Sequence, residues 1–282
     1  MRDIKRRKSS IQSTQQITKA MKLVSTVKLQ KAKTHAERTD PYFQHMYRTV
    51  TSILARSGNM DHPYLAKNGS DKTAVVVITS NRGLAGGYNS NITKLVQSSG
   101  LAKEKVLLYT IGTKGKESLE RKGYQVAEDA SDVIENPTYK DAMEICDKVL
   151  KDYAQGKIGE IYLAYTHFKN TVVHIPSLMK LLPVEFSEAE LTAADKNLIM
   201  NYEPNEREAL DMIIPKYVTS IFYGALVEAV ASENGARMQA MDSATSNAEE
   251  LISDLTLKYN RARQGSITQE LTEIIAGASA IS

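Results

Sequence analysis

The sequence predicts an α/β protein in which a sheet domain is inserted between two long terminal helices, and those helices are expected to pair as an antiparallel coiled coil. Three observations carry this. Residues 2–40 hold neither glycine nor proline, and no proline follows Pro215 from Lys216 to Ser282. Apolar, β-branched runs alternate with helical patterns only in the middle, as an α/β layer requires. The ends carry opposite charge: residues 1–38 hold eleven Lys/Arg and two acids (+9), residues 206–282 six Lys/Arg and eleven acids (−5), in a chain of net +3. The expected division is 1–58, 70–200 and 206–282.

In the first helix Ile4, Ile11, Ile17, Met21, Val24 and Val27 recur at helical spacing, and Lys, Gln, Ala and Leu fill much of the rest. In the last, Met241, Ala244, Ala248, Leu251, Leu255, Lys258, Ala262 and Gly265 follow heptad-like steps of three and four. A second stripe follows in a new phase: Ile267, Leu271, Ile274, Ala278 and Ile281. A helix of about 65 residues would run on the order of 100 Å. Small residues in its seam let a partner backbone approach closely. A self-associating coiled coil is the alternative to pairing within the chain. The C-terminal helix is the longer of the two, so part of its second stripe is expected to project past its partner. Exposed apolar residues there need another protein to cover them.

The middle reads as strands at Thr73–Thr79, Val106–Ile111, Glu160–Thr166 and Thr171–Ile175, the last two turning near Lys169 and Asn170. Helices are predicted from Asn89, over 113–122 and over 139–153. This alternation makes the insert a Rossmann-like α/β domain.

Hydrophobic residues make up 42% and charged residues 24%, enough for a core and against disorder by composition. The single Cys146 excludes an internal disulfide framework and a cysteine-cluster metal site, and favours a reducing setting. No run approaches the roughly 20 apolar residues of a membrane span. The basic start, residues 1–8, is not followed by the apolar stretch of a secretory signal. The loop Gly83-Leu-Ala-Gly86-Gly87 stands between a strand and a helix, where phosphate could bind. It lacks the Gly-Lys-Ser/Thr ending and the G-x-G-x-x-G spacing, so a tight turn is the better use of these glycines. Gly112–Gly115 reads as a loop before a helix. His35, His45, His62, His167 and His174 form no i, i+4 pair, although His167 and His174 flank a predicted turn. Neither a metal, a cofactor nor a catalytic constellation is expected. The basic helix permits a nucleic-acid reading, but its first aromatic residue is Tyr42. An acidic protein partner suits it at least as well.

Three segments together resemble the gamma subunits of rotary ATP synthases. They are Ile4-Lys-Arg-Arg with Thr14–Val24, Asn81–Asn91, and Arg237–Thr245 with Leu255–Gln264 and Ile267–Gly277. The resemblance runs in order over essentially the whole chain. It implies a non-catalytic central shaft, one copy per complex, held inside a hexamer of alpha and beta subunits. Epsilon and the membrane ring of c subunits would attach at the α/β domain. Met21 matches a position facing an acidic loop of the catalytic subunit, with Lys19 and Lys22 suited to that partner. Arg263 and Gln264, with Thr268 and Gln269 nearby, match polar contacts to the catalytic subunits. Leu271, Ile274, Ala278 and Ile281 match a tip that turns in an apolar bearing. Three positions depart from the family pattern: Lys8 on the Ile4/Ile11 face, Asn81 for a usual Asp, and Ala85 for a frequent Cys. The absence of a transit peptide and of a cysteine-bearing insertion points to a bacterial member, peripheral on the cytoplasmic face of the plasma membrane and bound to it only through the complex. No nucleic acid is implied.

Overall fold

The computed structural model describes residues 1–57, 62–66, 68–184 and 205–281. Helix α1 spans Arg2–Ser57, and the last helix, α5, spans Glu206–Ile281. Both run through an internal proline, Pro41 and Pro215. An interior proline costs a helix about 3 kcal/mol. Near both breaks the helices bury side chains in the core, Val50 and Ile53 on α1, Leu210 and Ile214 on α5.

The chain divides into two compact units, 1–25 with 237–282, and 26–236. The larger unit holds a five-stranded sheet in the order β3-β2-β1-β4-β5. Its strands are β1 (Thr73–Ile78), β2 (Val106–Ile111), β3 (Gln125–Asp129), β4 (Glu160–Phe168) and β5 (His174–Leu182). The first four are parallel; β5 closes one edge antiparallel to β4. Every residue of β1 is buried, as a central parallel strand covered on both faces requires. Helices α2 (Tyr88–Gln97) and α3 (Thr113–Glu120) are packed through Ile92, Val96 and Leu119 against Val75, Val77 and Leu108. The opposite face takes α4 (Tyr139–Ala154), with Ile145, Val149 and Tyr153, and the α5 segment Leu210–Ala229. Thr138 and Asp141 cap α4 reciprocally.

Two strand expectations are corrected. The final strand begins at His174, not Thr171, because the Asn170 carboxamide accepts from the amides of Val172 and Val173 and holds them in the turn. Pro176 is tolerated because β5 is an edge strand. Strand β3 escaped prediction: Gln-Val-Ala-Glu-Asp has no apolar run, and its burial alternates at the opposite edge. α5 also contains a window long and apolar enough for a membrane span, but 61% of that window is buried in the chain, as in a core helix.

In the smaller unit the helices are antiparallel. Gln15 donates to Glu249 at 3.1 Å, the Thr18 and Thr245 hydroxyls meet at 2.8 Å, and Lys22 pairs with Asp242 at 2.5 Å. The α1 seam is half-buried or buried at Ile4, Lys8, Ile11, Gln15, Thr18, Met21, Lys22 and Ser25. The predicted stripe therefore holds at Ile4, Ile11 and Met21 and fails at three positions: Ile17 is 60% and Val27 70% exposed, and Val24 is exposed with them. The Thr245 hydroxyl and the Glu249 and Asp242 carboxylates of α5 fix the face, so an apolar stripe is left outside. The α5 seam runs through Met241, Thr245, Ala248, Ile252, Leu255, Tyr259, Ala262 and Ser266. Leu251, Lys258 and Gly265, predicted for it, are exposed one position away. Lys8 lies half-buried in the seam, where its stem can pack while its head reaches water.

Candidate functional site

The antiparallel offset of the three cross-helix pairs puts Met1 level with about residue 263. From there α5 has no α1 alongside it. About 18 helical residues remain, roughly 27 Å at 1.5 Å per residue. Among them Ile267, Leu271, Ile274 and Ile275 are exposed, Ile274 by 68%. An apolar stripe in water on an unpaired helix end marks a surface made for covering.

Arg263, Gln264, Thr268 and Gln269 are exposed at the start of this segment. Gln269 donates to Glu273 at 2.9 Å and Thr272 to the Thr268 carbonyl at 2.8 Å, so part of their polarity is used along the helix. Ala278 is exposed beyond them. Ile281 ends the helix, and its side chain lies outside the described residues. Met21 is half-buried at the edge of the seam and Lys19 is exposed. Lys22 is held by Asp242 with 39% of its side chain exposed, so any acidic partner there competes with an ion pair already made. The opposite charge of the two ends anticipates their attraction but does not single out this pair. Spacing does suggest the projecting segment, since the C-terminal pattern outlasts the N-terminal one.

The glycine loop is built differently from expectation. Left-handed backbone falls at Leu84 (φ 64°) and Gly86 (φ 55°), not at Gly83 or Gly87. Gly87 instead precedes α2 in a right-handed conformation. Polar groups around the loop engage one another. Asn81 donates to the Ser131 carbonyl at 2.9 Å and accepts from the Thr113 amide at 3.0 Å; Ser80 N–H donates to Asn89 Oδ1 at 2.9 Å. Asn81 uses both ends of its carboxamide, which an aspartate could not do. The loop's polar groups serve the fold, in keeping with a turn. Gly112, in contrast, has a strict reason to be glycine: its φ is 99°, and a Cβ would stand 2.1 Å from the Thr79 carbonyl oxygen. Gly115 lies within α3, packed on Thr79, rather than in a loop.

His167 and His174 do not meet as a pair. His167 Nδ1 lies 2.7 Å from Glu228, while His174 lies against Gly235. No group of three or more His, Cys, Asp or Glu suited to a metal occurs among the described residues. Burial pushes the Cys146 thiol up to about 12, which makes it a core residue rather than a nucleophile.

Comparison with known proteins identifies the family. The family model described as ATP synthase matches residues 1–281. A protein of Lachnoclostridium phytofermentans named ATP synthase gamma chain is 65% identical, covering 100% of this chain and 99% of its own. The central stalk and c-ring structure of the Tetrahymena thermophila mitochondrial ATP synthase contains a chain similar at TM-score 0.61 and 26% identity, over 81% of this chain and 99% of that one. A chain of the Euglena gracilis mitochondrial ATP synthase shares the fold at TM-score 0.71 and 18% identity, over 99% of this chain and 94% of that one. The chain belongs to the ATP synthase gamma chain family.

Proposed function

We propose that this chain is the central rotor shaft of a bacterial ATP synthase. It couples ion flow through a membrane ring of c subunits to conformational change at the catalytic sites of an alpha/beta hexamer. One copy serves each complex, epsilon joins it at the α/β domain, and ATP chemistry resides in the partner subunits. Its place is the cytoplasmic face of the plasma membrane, held there through the complex. The observation that carries this reading is the unpaired, apolar end of α5 beyond Met1. A shaft that turns in a socket needs an apolar surface there, and Leu271, Ile274, Ala278 and Ile281 are the residues assigned to that bearing. Met21, Lys22, Arg263, Gln264, Thr268 and Gln269 make contacts with catalytic subunits, the polar ones through Arg263, Gln264, Thr268 and Gln269. Rotation acts by population shift: the shaft favours a conformation of each site only by contacting its alternatives unequally.

The direct test is removal of the last ten residues. Torque or assembly should fall while the thermal unfolding of the α/β domain stays in place. If the truncated chain instead melts as a whole, the projecting segment is structural and the bearing role fails.

A further inference from the structure

The hairpin of β4 and β5 docks on one face of α5 at three successive levels. Glu228 accepts from the Phe168 amide at 3.2 Å and pairs with His167 Nδ1. Ser232, one turn on, donates to the Thr166 carbonyl at 3.2 Å. At the third level stands Gly235, where a Cβ would lie 2.6 Å from His174 Nε2, 3.2 Å from its Cε1 and 3.5 Å from the Thr171 carbonyl oxygen. Glycine inside a helix costs about 1 kcal/mol against alanine. Here it forms a notch that admits the imidazole. The ring also faces Phe168 at 6.0 Å between centroids. His174 Nε2 is buried and has no hydrogen-bond partner.

We propose that His174 and Gly235 form a pH-sensitive latch: the neutral imidazole seats the hairpin turn on α5, and its protonation releases the turn. A protonated ring has two donors, and one of them would face the helix backbone with no acceptor. Leaving a buried charged donor unpaired is strongly unfavourable. None of the charged groups nearby is a hydrogen-bond partner of His174 Nε2. Glu228 on α5 is committed to His167 and the Phe168 amide. The other charged residues of this stretch of α5 are Glu233 and Arg237, and Lys169 in the turn adds positive charge. Burial holds the His174 pKa below 6.5. The docked hairpin thus binds fewer protons than the released one, and docking weakens as pH falls below about 6.5.

Hydrogen exchange on the full chain at pH 7.5 and 5.5, corrected for intrinsic rates, tests this. Residues 168–176 should lose about fivefold in protection at the lower pH while β1 is unchanged. His174→Phe should abolish the response and His167→Gln should keep it. Gly235→Ala should expose the turn at both pH values. Constant protection in the unaltered chain, or a response that survives His174→Phe, overturns the latch. A His174 ring titration by NMR in the unaltered chain with its midpoint at or above 6.5 does so independently of any variant.

Discussion

Thr18 and Thr245 meet hydroxyl to hydroxyl at 2.8 Å in the buried seam between the terminal helices. Each hydroxyl also lies within reach of a carbonyl of its own helix, Gln15 at 3.0 Å and Met241 at 2.7 Å. Each has a single proton, so at any moment only one of them can bond across the seam. Thr18→Val alone should cost about 1 kcal/mol, and Thr245→Val the same. The double variant should recover most of that, because removing both partners of a buried bond is nearly neutral. A double-mutant cycle in urea measures the coupling, and strictly additive losses would rule it out.

Two glycines separate conformational need from habit. Gly112→Ala forces a Cβ to within 2.1 Å of a carbonyl at positive φ and should prevent the sheet unit from folding. Gly83→Ala meets nothing within 4 Å and should shift stability by under about 1 kcal/mol, in the stabilising direction if at all. Circular dichroism melts of the two variants check this.

Much of this organisation is legible in the sequence, and the misses have physical causes. The missing prolines and glycines mark both long helices, and the apolar runs at Thr73 and Val106 mark the central strands. Strand β3 is invisible because an edge strand open to water needs no apolar run. The coiled-coil face is misread at Ile17, Val24 and Val27 because hydrogen-bonding residues, Thr18 and Gln15 among them, fill the seam. Periodicity follows hydrophobicity and has no means of seeing a polar seam. It also leaves open which glycines carry positive φ, since that depends on the strand ends they join.

Asn81 joins the segments that follow β2 and β3 through both halves of its carboxamide. Asn81→Asp keeps the acceptor for Thr113 and loses the donor to the Ser131 carbonyl. The expected loss is about 1–3 kcal/mol, read as a lower urea midpoint with unchanged slope. No change in midpoint would mean that the donor contributes nothing.

The Cys146 thiol, pushed up to about 12 by burial, should resist iodoacetamide at pH 8 until the larger unit unfolds. Its folded pKa is raised, so its contribution is complete below the unfolded value near 9 and fades as pH rises toward 12. Tyr165, pushed up to about 12 by burial as well, adds to the same decline. Cys146→Ala should lessen the fall in melting temperature across that window. Rapid labelling of the folded chain at pH 8 would contradict the assignment.

Assembly with purified alpha and beta subunits of the same source shows whether this chain is a shaft. Native mass measurement and ATPase assay should find one copy in each active hexamer. Folded chain and competent partners that fail to form a complex would mean that it is not a shaft.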